Sequence, residues 1–429
     1  MVGLQINIYK PITNASIFNW IQNSRILKLE IGYNGSKGFS MDGTELCRLL
    51  RNQNYIQSVS VKEKSNNLAS ILYALSSHGS LRELRFKHTS NKRLEILRIS
   101  ELYTFANVKR LEICLNYEPT GSYFRSDSIS LFHRIRCPQL HFLSLGFDFF
   151  LDDLKYKCRI DEGDCVRYVD WVFQMISSFE SIVNLELKLS TGEFYIRGEC
   201  GYKQREWERI ENEAGKIANK LTHLRTVKLG LDDCSGGEYV GALSWIRFLH
   251  ELPRLEKLTV ELDKETWSDS TLKNLFQLNK FPHLESLAFS MATSANNRAL
   301  DLKFITNISP NLTELIFDGS RLERDWMISI SLENMDSLPF SIEKIVISSG
   351  IRLDTDHLGE LETLLSTRNS LVIQYETPLD ISRAKILDKA LVLPNFIWNR
   401  IRCRTKEEMA TASELSQKFC FPLEKITLN

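Results

Sequence analysis

A short apolar pattern recurs along almost the whole of this 429-residue chain. Its template is apolar-x-x-apolar-x-apolar, and the first fit consists of Ile26, Leu29 and Ile31. Eleven copies occur, and their first residues are spaced by 30, 25, 27, 32, 42, 42, 31, 29, 28 and 30 residues. Alternation with a period of two places the apolar residues of each copy on one face of a β-strand. This spacing predicts a protein that is built of stacked repeats.

The segments between the copies have the apolar spacing of helices, and one of them opens on a cap-type serine, Ser65. One strand and one helix per roughly 29 residues cannot bury an apolar face alone, whereas stacked neighbours can. We expect helices at 40–53, 65–79, 238–252, 356–369, 385–401 and 405–419. We expect further strands at 371–375 and within 422–429.

The repeat resembles that of leucine-rich repeat proteins, L-x-x-L-x-L-x-x-N/C-x-L. The strand half matches in all eleven copies, and Asn34 and Asn116 fit the asparagine position. The repeat length and the helical connectors are most similar to the ribonuclease-inhibitor-like type. The resemblance implies an α/β leucine-rich-repeat solenoid (horseshoe), with a parallel β-sheet on the concave face and helices on the convex face. We expect residues 1–429 to form a single solenoid of about 12–14 irregular repeats.

Four prolines lie two residues ahead of the strand motif, and this arrangement resembles the repeats of F-box and plant immune-receptor proteins. Proline disfavours helix at the preceding residue, so each is predicted to end a helix and begin a strand. They are Pro138, Pro253, Pro282 and Pro310.

Composition excludes several classes of function. Lys plus Arg and Asp plus Glu both number 54, and this balance argues against a nucleic-acid partner. The nine cysteines form no CxxC pair, so we expect reduced thiols and no metal site. No signal peptide or membrane-spanning run is recognisable, and a cytoplasmic or nuclear protein is expected. The sequence contains none of the nucleotide, zinc-protease or hydrolase motifs, so neither catalysis nor a cofactor is expected.

One candidate site lies on the predicted concave face. Its third and fourth strands contribute Arg85, Lys87 and Arg110, and Lys62 lies beside them to complete a basic cluster. The cluster fits either a solvated face or a site for an acidic peptide or phosphate. By contrast, the outward residues of the strand within 281–290 are small and are expected to leave room for a partner.

A second candidate site comprises two insertions, 148–165 and 190–209, which account for the two spacings of 42 residues. Insertions at matching repeat positions emerge on one edge of a solenoid. Aromatic residues and arginine dominate interface hot spots, although the aromatic residues could instead pack against each other and the neighbouring helix. The candidate residues are Phe149, Phe150, Tyr156, Phe194, Tyr195, Arg197, Tyr202 and Trp207.

These features predict a non-catalytic scaffold that binds another protein through the concave face or the insertions, with no membrane partner. The resemblance extends to the substrate-recognition part of F-box ubiquitin-ligase adaptors, although the strand pattern begins at Met1 and we expect no F-box in this chain. The alternatives are a regulator of an enzyme such as a GTPase, and a receptor domain that senses a ligand or peptide. The oligomeric state is left open.

Overall fold

The chain is described by a computed structural model, in which it divides into two compact units, Met1–Arg254 and Leu255–Asn429. The described residues are 4–8, 25–31, 48, 50–63, 68–90, 102–117, 134–149, 162–190, 204–232, 242–262, 273–276, 280–291, 305, 308–319, 328–330, 338–348, 351–353, 365–368, 370–375, 379–380, 396–398, 401–403, 405–419 and 426–428.

The first unit contains a parallel sheet, with helices between some of its strands. Its strands are β1 (Leu4–Ile8), β2 (Ile26–Ile31), β3 (Ser58–Glu63), β4 (Glu83–Ser90), β5 (Tyr103–Thr104), β6 (Arg110–Tyr117), β7 (Ile135–Arg136), β8 (Phe142–Phe149), β9 (Asn184–Ser190) and β10 (Thr226–Asp232). Its helices are α1 (Leu68–Ser76), α2 (Glu162–Ser177), α3 (Gln204–Lys220) and α4 (Ala242–His250). The main sheet has the order β1-β2-β3-β4-β6-β8-β9-β10, and β5 pairs separately with β7.

The repeats stack in register. The second apolar residue of each copy lies opposite its counterpart in the next strand, and the side chains in this series are at most 1% exposed. The series runs Val59, Leu84, Leu111, Leu143, Leu185 and Val227. Helix residues complete this core: the ring centroids of Phe173 in α2 and Trp245 in α4 are 4.3 Å apart.

A tight turn precedes two of the strands and explains why proline occurs two residues ahead of the strand motif there. The amide of Leu140 donates to the carbonyl of Cys137 at 3.1 Å, and the amide of Leu284 donates to the carbonyl of Phe281 at 3.3 Å. Pro138 and Pro282 therefore occupy the second position of a β-turn, where the fixed φ of proline is favourable. The start of a strand after these two prolines agrees with the prediction. The predicted end of a helix is wrong at Pro138, because strand β7 (Ile135–Arg136) directly precedes this turn.

A ladder of side-chain hydrogen bonds ties several of the turns to the preceding repeat. We call the residue directly before the first apolar residue of a copy the turn-edge position. Asn107 donates from Nδ2 to the carbonyl of Gly79 at 2.7 Å, and Asn311 donates likewise to the carbonyl of Pro282 at 2.8 Å. The hydroxyl of Ser80, at the same position, donates to the carbonyl of Ile56 at 2.8 Å.

The second unit repeats the parallel arrangement. Its elements are β11 (Lys257–Leu262), β12 (Ser286–Met291), β13 (Glu314–Asp318), β14 (Ile328–Ile330), β15 (Lys344–Ile347), β16 (Ile351–Leu353), β17 (Val372–Tyr375), β18 (Leu379–Asp380), β19 (Phe396–Trp398), β20 (Ile401–Cys403), α5 (Lys406–Phe419) and β21 (Ile426–Leu428). The main strands follow the order β11-β12-β13-β15-β17-β19. Smaller parallel sheets contain β14 with β16, and β18 with β20 and β21.

The predicted fold class, an α/β solenoid of the leucine-rich-repeat type with a parallel sheet, is confirmed within these units. The helices expected at 65–79, 238–252 and 405–419 are α1, α4 and α5. The helix expected at 385–401 is wrong where the structure describes it, because Phe396–Trp398 pairs with β17 as β19. Pro394 disfavours helix there, and aromatic and β-branched residues favour a strand. The extent of one solenoid over 1–429 stays a prediction.

Candidate functional site

The sheet face of the first unit is the set of strand side chains that alternate with the buried apolar ones. In β4, Leu84 and Phe86 are 0% and 2% exposed, whereas Arg85 and Lys87 between and after them are exposed. The alternation follows from the pleat of a strand, which directs successive side chains to opposite faces. Charged side chains on this face are therefore held on a rigid backbone.

The strand register arranges the side chains of the sheet face into rows that cross the strands. Neighbouring strands, and so neighbouring members of a row, are about 4.8 Å apart. The first row comprises Ser58, Glu83, Arg110, Phe142, Asn184 and Thr226. The middle row comprises Ser60, Arg85, Glu112, Ser144, Glu186 and Lys228. The lysine row comprises Lys62, Lys87, Cys114, Gly146, Lys188 and Gly230.

Ion pairs neutralise the charges of the first and middle rows. The carboxylate of Glu112 accepts from Arg110 and lies 3.3 Å from Nε of Arg85. The guanidinium of Arg110 also lies over the ring of Phe142, 3.9 Å from its centroid. Further along the middle row, Nζ of Lys228 lies 3.1 Å from Glu186. Each pair contributes only about 0.2–1 kcal/mol to stability, because the side chains are exposed to water.

The predicted basic cluster is brought to one side of the sheet, but it is not uniformly positive. Arg85 and Arg110 lie beside Glu112, and a second carboxylate, Glu83, is 3.9 Å from Arg85. Lys62 and Lys87 are directly opposite each other on β3 and β4. The structure therefore separates the four residues into two neutralised arginines and two lysines of the lysine row.

The lysine row differs from the other two in having no acidic member. Lys87 and Lys188 are exposed, and neither forms an ion pair with any residue that the structure describes. Between them lie half-buried Cys114 and Gly146, where an added Cβ would be 3.5 Å from Sγ of Cys114. Each member of the row directly follows the third apolar residue of its repeat copy. The row can therefore be found in the sequence when the copies are aligned on their apolar residues.

The insertions are described only in part. Residues 162–165 and 204–209 are helical, in α2 and α3, and the backbone of Phe149 ends β8. Trp207 is only 8% exposed, as the packing alternative predicts for an aromatic residue of an amphipathic helix. The remaining candidates lie outside the described residues; they are Phe150, Tyr156, Phe194, Tyr195, Arg197 and Tyr202.

The strand predicted to leave room for a partner does not do so. Ser286, Ala288 and Ser290 of β12 are only 8%, 9% and 3% exposed. Their neighbours in register are larger, as where Ser286 lies between Lys257 and Glu314. Small side chains between longer ones lie below the surface that a partner would touch. For this physical reason the prediction about this strand is wrong.

Glu314 is the centre of a polar cluster on that face of the second unit. Burial by itself raises the pKa of Glu314, but hydrogen bonds from Lys344 at 3.0 Å and Ser286 at 2.9 Å hold the pKa below its ordinary value. Donors of its own unit thus favour the ionised form of the carboxylate. We regard this cluster as structural.

Other chemistry is sparse in the described part of the chain. Cys137 is buried, and burial raises the pKa of its thiol to about 12, so it stays a neutral thiol. No group of three or more His, Cys, Asp or Glu in the described ranges is arranged to hold a metal ion. Among the helices that the structure describes, none has the length and apolar character needed to cross a membrane.

No protein-family model and no curated protein matches the chain. Among solved structures, the chain is similar to TLR13 in the crystal structure of the TLR13–ssRNA13 complex, with 13% identity and a TM-score of 0.49 over 88% of this chain and 42% of that one. It thus spans less than half the length of the TLR13 chain. A protein from Bacteroides fragilis has 12% identity and a TM-score of 0.30 over 87% of this chain and 74% of that one.

Proposed function

We propose that the protein is a non-catalytic scaffold that binds another protein through the sheet face of its first unit. The observation that carries this proposal is the sheet face itself, where neutralised rows lie beside two exposed lysines without a partner among the described residues. Charges held on paired strands are pre-organised, so little side-chain and backbone freedom is lost when a partner binds. Electrostatic complementarity of this kind favours specificity and fast association.

Two further features support a protein partner. The face mixes Glu83, Glu112 and Glu186 with its cations, and carboxylates repel the phosphate backbone of a nucleic acid. The face also presents Phe142 with Arg110 over its ring, a pair of residue types that is enriched in protein interfaces.

The more specific form of the proposal is a substrate-recognition module similar to the repeat domain of F-box ubiquitin-ligase adaptors. The basis is the strand-preceding proline pattern, now seen as turns at Pro138 and Pro282. A regulator of an enzyme such as a GTPase and a peptide-sensing receptor domain are the competing outcomes of the test.

Site-specific photo-crosslinking in cells tests the proposal. A benzophenone amino acid at Ser144, in the middle row, should crosslink a discrete protein that mass spectrometry identifies and that then binds the purified chain. The same group at Lys216, which is 68% exposed on α3, is the matched control and should not capture that protein. Identification of a cullin-complex subunit would support the adaptor, and a GTPase would support the regulator. Capture of nucleic acid, or equal capture at both positions, would contradict the scaffold.

A further inference from the structure

We draw no further inference here: the strongest candidate, the surface patch at the turn before β15 where Phe340 is 87% exposed beside the guanidinium of Arg368, carries no proposal because nothing in the structure shows what covers it.

Discussion

The turn-edge ladder leads to a sharp stability prediction at Asn311. Its Nδ2 donates to the carbonyl of Pro282 in the preceding repeat at 2.8 Å, at an exposed edge of the second unit. Asn311→Ala removes one hydrogen bond of good length, and water can then solvate the freed carbonyl. The expected cost is therefore the net value of such a bond, about 1 kcal/mol, and not its full desolvation penalty.

Thermal denaturation measures the effect. For a unit of this size, Leu255–Asn429, a loss of about 1 kcal/mol lowers the melting temperature by about 2–4 °C. Asn311→Asp keeps the size of the side chain but replaces the donor with a carboxylate facing a carbonyl oxygen. It should cost at least as much as the alanine variant. A cheaper Asn311→Asp would show that side-chain volume, and not hydrogen bonding, stabilises the turn.

Matched controls come from the same position in other repeats. His283 precedes Leu284 as Asn311 precedes Leu312, and His283→Ala removes no inter-repeat hydrogen bond that the structure describes. In the first unit, Asn107→Ala should behave like Asn311→Ala, with Gln139→Ala as its control. The controls should stay within about 0.5 kcal/mol of the wild type. If they lose as much as the asparagine variants, the ladder contributes nothing specific and the reasoning is refuted.

Two more predictions concern single groups. Burial lowers the pKa of His78 below its ordinary value of 6.5, so the folded state favours the neutral ring. The contribution of the neutral His78 ring to stability is complete above pH 6.5 and is lost as the pH falls through the pKa of the folded state. The melting temperature of His78→Gln should therefore fall less than that of the wild type between pH 7.5 and 5. An equal fall in both proteins would contradict this cause. Trp245 is 1% exposed, with no hydrogen-bond partner at Nε1 in the described part of the chain. Trp245→Phe should therefore change the free energy of unfolding by about 1 kcal/mol or less, while Trp245→Ala costs about 3–5 kcal/mol. A loss in Trp245→Phe clearly above that value would show that the indole N–H is hydrogen-bonded.

The buried half of the fold could be predicted because its signal is local and repeated. Leu84 and Phe86 illustrate this: their spacing places them on one face, and burial is the only arrangement that removes that face from water. Local periodicity does not predict secondary structure where pairing between distant segments determines it. Phe396–Trp398 forms a strand because it pairs with β17, and the periodicity of the surrounding sequence does not indicate that pairing.

The candidate sites were predicted less well because their properties depend on neighbours across strands. The sequence shows Arg85 and Arg110 as positive charges, but only register shows that Glu112 lies between them. Trp207 has the composition of an interface anchor, and yet its position on the inner side of α3 buries it. Residue type indicates what a side chain can do, whereas register and helix phase decide whether a partner can reach it.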